Sequence, residues 1–192
     1  MVSRKSSGAN EFRVIAGQYR RRKLTFAPES QARPTPNRVR ETLFNWLEPH
    51  IKGLRVADLF AGSGALGIEA LSRGAASAVF VERDARLARS LRDNLEVLGS
   101  QNGQVHCTTT EKWLEGKREA VDLVFLDPPF ATRSHGKLCK LLERHRSIVP
   151  GGWCYLEMAA DQEPDQLPQN WSVVRDKRAG NVRYQLVRVD HE

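Results

Sequence analysis

The chain is 192 residues long and 40% apolar, enough for one domain with a substantial core and an appended arm. No apolar run is long enough to span a bilayer, which excludes a helical membrane protein. The net charge of +7 is lopsided: residues 1–40 hold ten Lys/Arg against Glu11 and Glu29, and the other 152 hold twenty against twenty-one acids. The excess positive charge therefore lies in the N-terminal fifth and points to a polyanionic partner met there. Cys107, Cys139 and Cys154 are widely spaced with no CxxC, so they read as reduced thiols of a cytoplasmic protein. His50, His106, His135, His145 and His191 show no metal-ligand spacing, and no metal is expected. The opening MVSRKSSGAN has charges but no apolar stretch behind them, unlike a secretory signal.

In chain order, residues 1–10 are small and polar and predict a disordered basic tail. Residues 11–50 predict a hairpin and a helix. Phe12, Val14 and Ile15 pair through a turn with Leu24, Thr25 and Phe26, so that Arg13, Arg20, Arg21, Arg22 and Lys23 are displayed by a rigid element. Arg33-Pro34-Thr35-Pro36 then opens a helix, with Thr35 as N-cap and Pro36 in the first helical position. Val39, Leu43, Trp46 and Leu47 share one face of it, and Arg38 and Glu41 point elsewhere.

Residues 51–192 predict a second unit of alternating strands and helices. Strands are expected at 55–60, 78–82, 105–108, 121–126 and 153–158, the last after a Pro150-Gly151-Gly152 turn, with helices at 65–73, 84–98, 111–114 and 137–146. Such alternation gives a parallel sheet covered on both faces, with right-handed crossovers. The end differs. Strands at 171–175 and 182–189 are separated by too few residues for a crossover helix, so they form an antiparallel hairpin.

The turn Asp58-Leu59-Phe60-Ala61-Gly62-Ser63-Gly64-Ala65-Leu66-Gly67 joins the first of these strands to its helix. Gly62 and Gly64 permit a tight turn and close approach of a ligand, and Gly67 permits close helix packing. Glu82, with Arg83 behind it, ends the next strand, where an acid meets ribose hydroxyls in nucleotide-binding units. The turn also spells GxGxxG, so an NAD-dependent oxidoreductase is a rival reading. Asp58 weighs against it, because a carboxylate repels a pyrophosphate and attracts the cationic S-adenosylmethionine.

Residues 121–130, VDLVFLDPPF, form a buried strand that ends on an acid, two prolines and a ring. Neither Pro128 nor Pro129 can donate a ladder hydrogen bond, so the chain leaves the sheet extended, with carbonyls unpaired. Asp127 and the Pro128 carbonyl could accept the hydrogens of an exocyclic amine while Phe130 stacks on its ring. A base gripped this way must be unpaired or leave its stack. Its amine would attack the sulfonium methyl in line, with Asp127 as positioner and electrostatic stabiliser, and no cysteine adjoins the loop for covalent catalysis. Guanine and adenine amines fit the loop equally well, and a nucleic-acid-binding module without activity is a third reading. Arg133, with Lys137, Lys140, Arg144 and Arg146, offers a second basic wall.

On RVIAGQYRRRKL at 13–24, RPTPNRVRETLFNWL at 33–47, DLFAGSGALGIEALSRGA at 58–75, VERD at 81–84 and DPPF at 127–130, the sequence resembles the S-adenosylmethionine-dependent methyltransferases. Within them it resembles the RsmD family, which methylates guanine N2 in 16S ribosomal RNA, at guanine 966. The resemblance implies a doubly wound, Rossmann-like α/β fold of strand order 3-2-1-4-5-7-6 whose last strand is antiparallel. It implies that Asp58, Phe60, Ala61, Gly62, Ser63, Gly64, Glu82 and Arg83 surround the cofactor and that Asp127, Pro128, Pro129 and Phe130 form the base pocket. It also implies RNA contact by Arg13, Arg20, Arg21, Arg22, Lys23, Arg33, Arg38 and Arg133. Where such enzymes place Asp or Asn near the adenine, this chain has Thr108-Thr109-Thr110, and Thr109 is the candidate. The expected substrate is small-subunit ribosomal RNA, free or in a partly assembled particle, and the expected protein is a cytoplasmic monomer without membrane contact.

Overall fold

A computed structural model describes residues 10–27, 35–116, 119–129, 134–162 and 166–190. A two-stranded hairpin, β1 (Asn10–Arg13) and β2 (Lys23–Phe26), precedes helix α1 (Asn37–Leu47). The α/β unit follows as β3 (Arg55–Asp58), α2 (Ala65–Ser72), β4 (Ser77–Glu82), α3 (Ala85–Leu98), β5 (Gly103–Cys107), α4 (Thr110–Glu115), β6 (Val121–Leu126), α5 (His135–Arg144), β7 (Ile148–Ala159), β8 (Trp171–Ala179) and β9 (Val182–Val189).

The seven strands of the large sheet lie in the order β5-β4-β3-β6-β7-β9-β8. Five run parallel, and β9 is antiparallel to both β7 and β8. This is the doubly wound, Rossmann-like order that the family resemblance implies, and its antiparallel end is the one expected of a strand joined by the short turn at Gly180-Asn181, which can only run back beside its predecessor.

Helices cover both faces. On one, the hairpin, α1, α2 and α3 enclose a core that includes Phe12, Leu43, Phe44, Ile68, Phe80, Leu91, Phe125 and Tyr155. On the other, α4 and α5 pack Trp113, Leu114, Leu138 and Leu142 against Val124, Leu126 and Leu156. The N-terminal segment is therefore built into the first core.

Three local expectations change. Pro150-Gly151-Gly152 lies inside β7 as a bulge, where the pairing jumps from Val121↔Ile148 to Leu123↔Trp153. Helix α1 starts at Asn37 with Pro36 at the cap position and no side-chain cap, so Thr35 does not cap it. Arg40, counted with the surface charge, is wholly buried. Its Nη2 donates to the Arg13 carbonyl at 3.0 Å and to Asn37 Oδ1 at 2.6 Å, and Nη1 lies 4.0 Å from Glu69 Oε2. Burial is the main cause that holds its pKa below the ordinary arginine value, with Glu69 opposing.

Candidate active site

Four neighbouring strands of the sheet carry acids at their carboxyl ends. In spatial order these are Glu82 on β4, Asp58 on β3, Asp127 just after β6, and Glu157 on β7. Side chains alternate between faces along a strand, and Phe80, Val56, Phe125 and Tyr155, each two residues earlier, belong to the core beneath α1, α2 and α3. All four carboxyls therefore emerge on that face, at the end of the sheet where open α/β folds bind ligands.

The glycine turn closes over this edge through backbone bonds. Leu59 N–H donates to the Phe125 carbonyl at 3.1 Å, Ala61 N–H to the Val81 carbonyl at 3.0 Å, and Gly64 N–H to the Ala61 carbonyl at 2.6 Å. Gly64 has φ +80, and a Cβ there would lie 2.2 Å from Leu91 Cδ2. At Gly67 a Cβ would lie 2.3 Å from the Phe80 ring, so this glycine lets α2 settle on β4.

Glu82 and Asp58 brace the turn from both sides. Glu82 accepts the Gly62 N–H through Oε2 and the Asp84 N–H through Oε1, each at 2.8 Å. Two carboxylate oxygens offer about four acceptor sites, so each retains capacity for a further donor. Asp58 is buried, and its Oδ2 accepts the Gly67 N–H at 3.0 Å. Burial pushes its pKa up to about 7 against the Gly67 hydrogen bond, with the charge of Glu82 adding to the rise.

Of the other residues expected here, Ala61 and Ser63 are buried in the turn, Phe60 packs partly against the second core, and Arg83 is exposed. Thr109 caps α4, its Oγ1 accepting the Lys112 N–H at 3.3 Å. Its neighbour Thr110, buried, bonds to the Leu59 carbonyl and ties α4 to the glycine turn.

Asp127 is half-buried, Pro128 buried and Pro129 exposed. Phe130 and Arg133 lie outside the described residues, as does Arg33. Burial, then the charges of Glu157 and Asp58, push the Asp127 carboxyl well above the ordinary carboxylate range, opposed by a hydrogen bond from Thr35. Glu157, unremarked in the sequence, is buried beside it, takes the Tyr155 hydroxyl on Oε2 at 2.7 Å, and also bonds to Thr35. Burial raises its pKa to about 7. His135, outside the helix expected at 137–146, is buried at the start of α5 with Nε2 donating to the Glu157 carbonyl at 2.7 Å.

The basic residues divide between the two ends of the molecule. Exposed Arg38, in the first turn of α1, stands close to Thr35 and hence to the acids. The hairpin turn docks at the opposite end. Ile15 and Ala16 N–H groups donate to Glu69 at 2.8 and 3.0 Å, Gln18 N–H donates to the Ser72 carbonyl at 2.7 Å, and Arg22 Nη2 donates to the Val97 carbonyl at 3.0 Å. Ser72 and Val97 lie where α2 and α3 finish, so Arg20, Arg21 and Arg22 stand about 20 Å from the acids, the length of α3. Lys23 pairs with Glu11 at 3.2 Å. Arg13, Arg20 and Arg21 are exposed with no side-chain partner among the described residues.

Known proteins share this chain's sequence and fold. Residues 12–188 match the family model Conserved hypothetical protein 95. Ribosomal RNA small subunit methyltransferase D of Escherichia coli K12 is 41% identical over 180 residues, covering 94% of this chain and 91% of that one. The solved structure of the Escherichia coli protein yhhF superposes with a TM-score of 0.89 at 39% identity, over 95% of this chain and all (100%) of that one. An RNA methyltransferase from Salinibacter ruber, solved with S-adenosyl-L-homocysteine, shares the fold at a TM-score of 0.64 and 18% identity, over 83% of this chain and 95% of that one.

Proposed function

The chain belongs to the RsmD family, and on that premise we propose that it is an S-adenosylmethionine-dependent methyltransferase of small-subunit ribosomal RNA, acting on the N2 amine of one guanine, guanine 966. The observation that carries the reading is the row of carboxyls at Glu82, Asp58 and Asp127 around a glycine turn, beside an Asp-Pro-Pro loop. This donor set fits a cationic cofactor and disfavours a pyrophosphate, which argues against the oxidoreductase reading.

When bound, S-adenosylmethionine supplies an electrophilic methyl group on a sulfonium. Glu82, with acceptor capacity beyond the Gly62 and Asp84 amides, would hold the ribose hydroxyls. Asp58 lies at the mouth of the turn, where a positively charged ligand favours its ionised form. Phe60, Ala61, Ser63, Gly64, Arg83 and Thr109 complete the surround in this reading.

At the loop, Asp127 and the Pro128 carbonyl accept the two hydrogens of the guanine amine. That orients the nitrogen lone pair, otherwise delocalised into the ring, and stabilises the positive charge that develops there. A cationic amine sheds its proton readily, so Asp127 positions and stabilises without being a strong base. Phe130 stacks on the base. Arg38 binds phosphates next to the pocket, while Arg13, Arg20, Arg21, Arg22 and Lys23 grip a more distant stretch of the same RNA, and Arg33 and Arg133 are further RNA contacts in this reading. The protein acts as a cytoplasmic monomer.

The test is to incubate the protein and labelled S-adenosylmethionine with small-subunit RNA, free and as particles from a strain lacking the gene. Nucleosides are then identified by mass. N2-methylguanosine is expected, and N6-methyladenosine as the sole product would replace guanine with adenine in this reading.

A further inference from the structure

Asp127 has a second acid for a neighbour, and the two are held together by groups that the reaction as described does not use. Strands β6 and β7 pair in register at Leu126↔Leu156, so the next pair along is Asp127 and Glu157. Thr35, only 6% exposed, has its hydroxyl beside both carboxyls, able to donate to one and to accept from the other when that one is protonated, and the Tyr155 hydroxyl donates to Glu157 Oε2 at 2.7 Å. The other titratable groups facing the pair are Asp58 from β3, Tyr184 from β9 (its ring 6.4 Å from that of Tyr155), and His135 from α5, whose Nε2 is occupied by the Glu157 carbonyl. No lysine or arginine is ion-paired with either acid among the described residues.

We propose that Glu157 and Thr35 are positioning residues for Asp127: Glu157 keeps the one proton the two carboxyls share when an amine is bound, and the Thr35 hydroxyl sets their spacing. The inference rests on the assignment of Asp127 as the amine acceptor. Two carboxyls that share a buried site without a cation hold a proton between them near neutral pH. In the free protein the pair shares that proton, and the Tyr155 hydroxyl, donating to Glu157, biases it toward Asp127. An arriving amine brings N–H donors to Asp127 and reverses that preference. The proton passes from the Asp127 carboxyl to the Glu157 carboxylate, with no net gain or loss, and Asp127 becomes the ionised acceptor that the amine needs. Thr35 precedes α1 directly, so the pair is also tied to the segment that carries Arg38.

Glu157→Gln removes the competing charge and keeps an acceptor for Tyr155. A missing like charge lowers the Asp127 pKa, so the acid limb of the kcat–pH profile should move down by about one unit. The cofactor Kd should be unchanged, since Glu157 on β7 is separated from Glu82 on β4 by β3 and β6. An unmoved limb overturns the proposal. The limb is read on whichever base the wild type methylates, so an adenine product revises the substrate and leaves this inference standing. Carboxyl titration of the free protein by NMR, which needs no RNA, should show the same fall in the Asp127 pKa, and its absence overturns the inference even if no substrate is found. Thr35→Val should cut kcat about tenfold or more without altering cofactor Kd, with Thr35→Ser restoring it. A Val variant as active as wild type, or a Ser variant as impaired as Val, removes Thr35 from the arrangement.

Discussion

Glu82 Oε2 accepts the amide hydrogen of Gly62 at 2.8 Å, so the acid that ends β4 holds shut the turn that follows β3. One side chain thus braces the turn and faces the crevice. Glu82→Ala should raise the Kd for S-adenosylmethionine by about 10- to 100-fold, the worth of a charged hydrogen bond, and should also lower Tm. Calorimetric titration and a melting curve check both. A variant that binds the cofactor normally would show that Glu82 is only a brace.

Asp127→Ala should separate binding from chemistry. Transfer should fall by about 10²- to 10³-fold or more, the cost of removing a group that stabilises developing charge, while cofactor Kd changes by less than about twofold. Single-turnover rates beside equilibrium titration decide it. Loss of cofactor binding would place Asp127 on the wrong ligand.

The two basic regions should have different signatures. Arg20→Gln with Arg21→Gln, far from the acids, should weaken RNA binding and flatten its log–log salt dependence by about 0.7 to 0.9 per lost phosphate contact, leaving saturated kcat unchanged. Arg38→Gln, near the pocket, should also reduce the rate with bound RNA. Filter binding across a salt series and saturated turnover distinguish them, and an unaltered slope for the double variant rules out its role.

The pH dependence of stability follows from the buried acids. Asp58 titrates near 3.8 in an ordinary setting and at about 7 in the folded chain, and Glu157 is raised from 4.5 to about 7. Between those values the folded state binds the proton more tightly, so the contribution to stability is full below the lower value and is lost as pH rises through 7. The cofactor-free protein should lose about 2 to 3 kcal/mol per acid between about pH 5 and pH 8, read as a fall in Tm. Asp58→Asn should remove part of the slope, as should saturation with the cationic cofactor. Melting curves across that range provide the measurement.

Much of the fold was legible because its signals are local. The glycine turn, Asp58, Glu82 and the Asp-Pro-Pro sequence each sit where a strand stops, and the short link before β9 dictates its direction. Glu157 and Thr35 were not legible in this way. Glu157 lies in the apolar run of β7, where an acid is out of keeping, and that anomaly was the available clue. Its partner comes from the adjacent strand, and Thr35 looks like an ordinary cap until α1 is placed against the sheet. Arg40 was misjudged for a related reason. It falls on the same helical stripe as Val39, Leu43, Phe44 and Leu47, but its charge suggested the surface, and the carbonyl of Arg13, the Asn37 side chain and the carboxylate of Glu69 make its burial tolerable. The basic turn was read correctly as exposed, but its distance from the acids depends on which ends of α2 and α3 receive it.

Gly17 shows how tightly that turn is held. A Cβ there would lie 1.8 Å from the Ser72 carbonyl oxygen, and the residue has φ +79. Gly17→Ala should therefore lift the turn from α2, costing about 1–3 kcal/mol and weakening RNA binding while cofactor affinity is kept. Thermal melting, RNA binding and cofactor titration together test it.

The same docking orders events during synthesis. Ile15, Ala16, Gln18 and Tyr19 find their hydrogen-bond partners 53 or 54 positions later in the chain, and Thr25 finds Asn94 69 positions later. The hairpin turn leaves the ribosome before α2 and α3 and must wait for them before it has anything to settle on. Until then its arginines travel on an unfolded strand, so a newly made molecule has its basic hairpin turn seated only after the first half of the sheet exists.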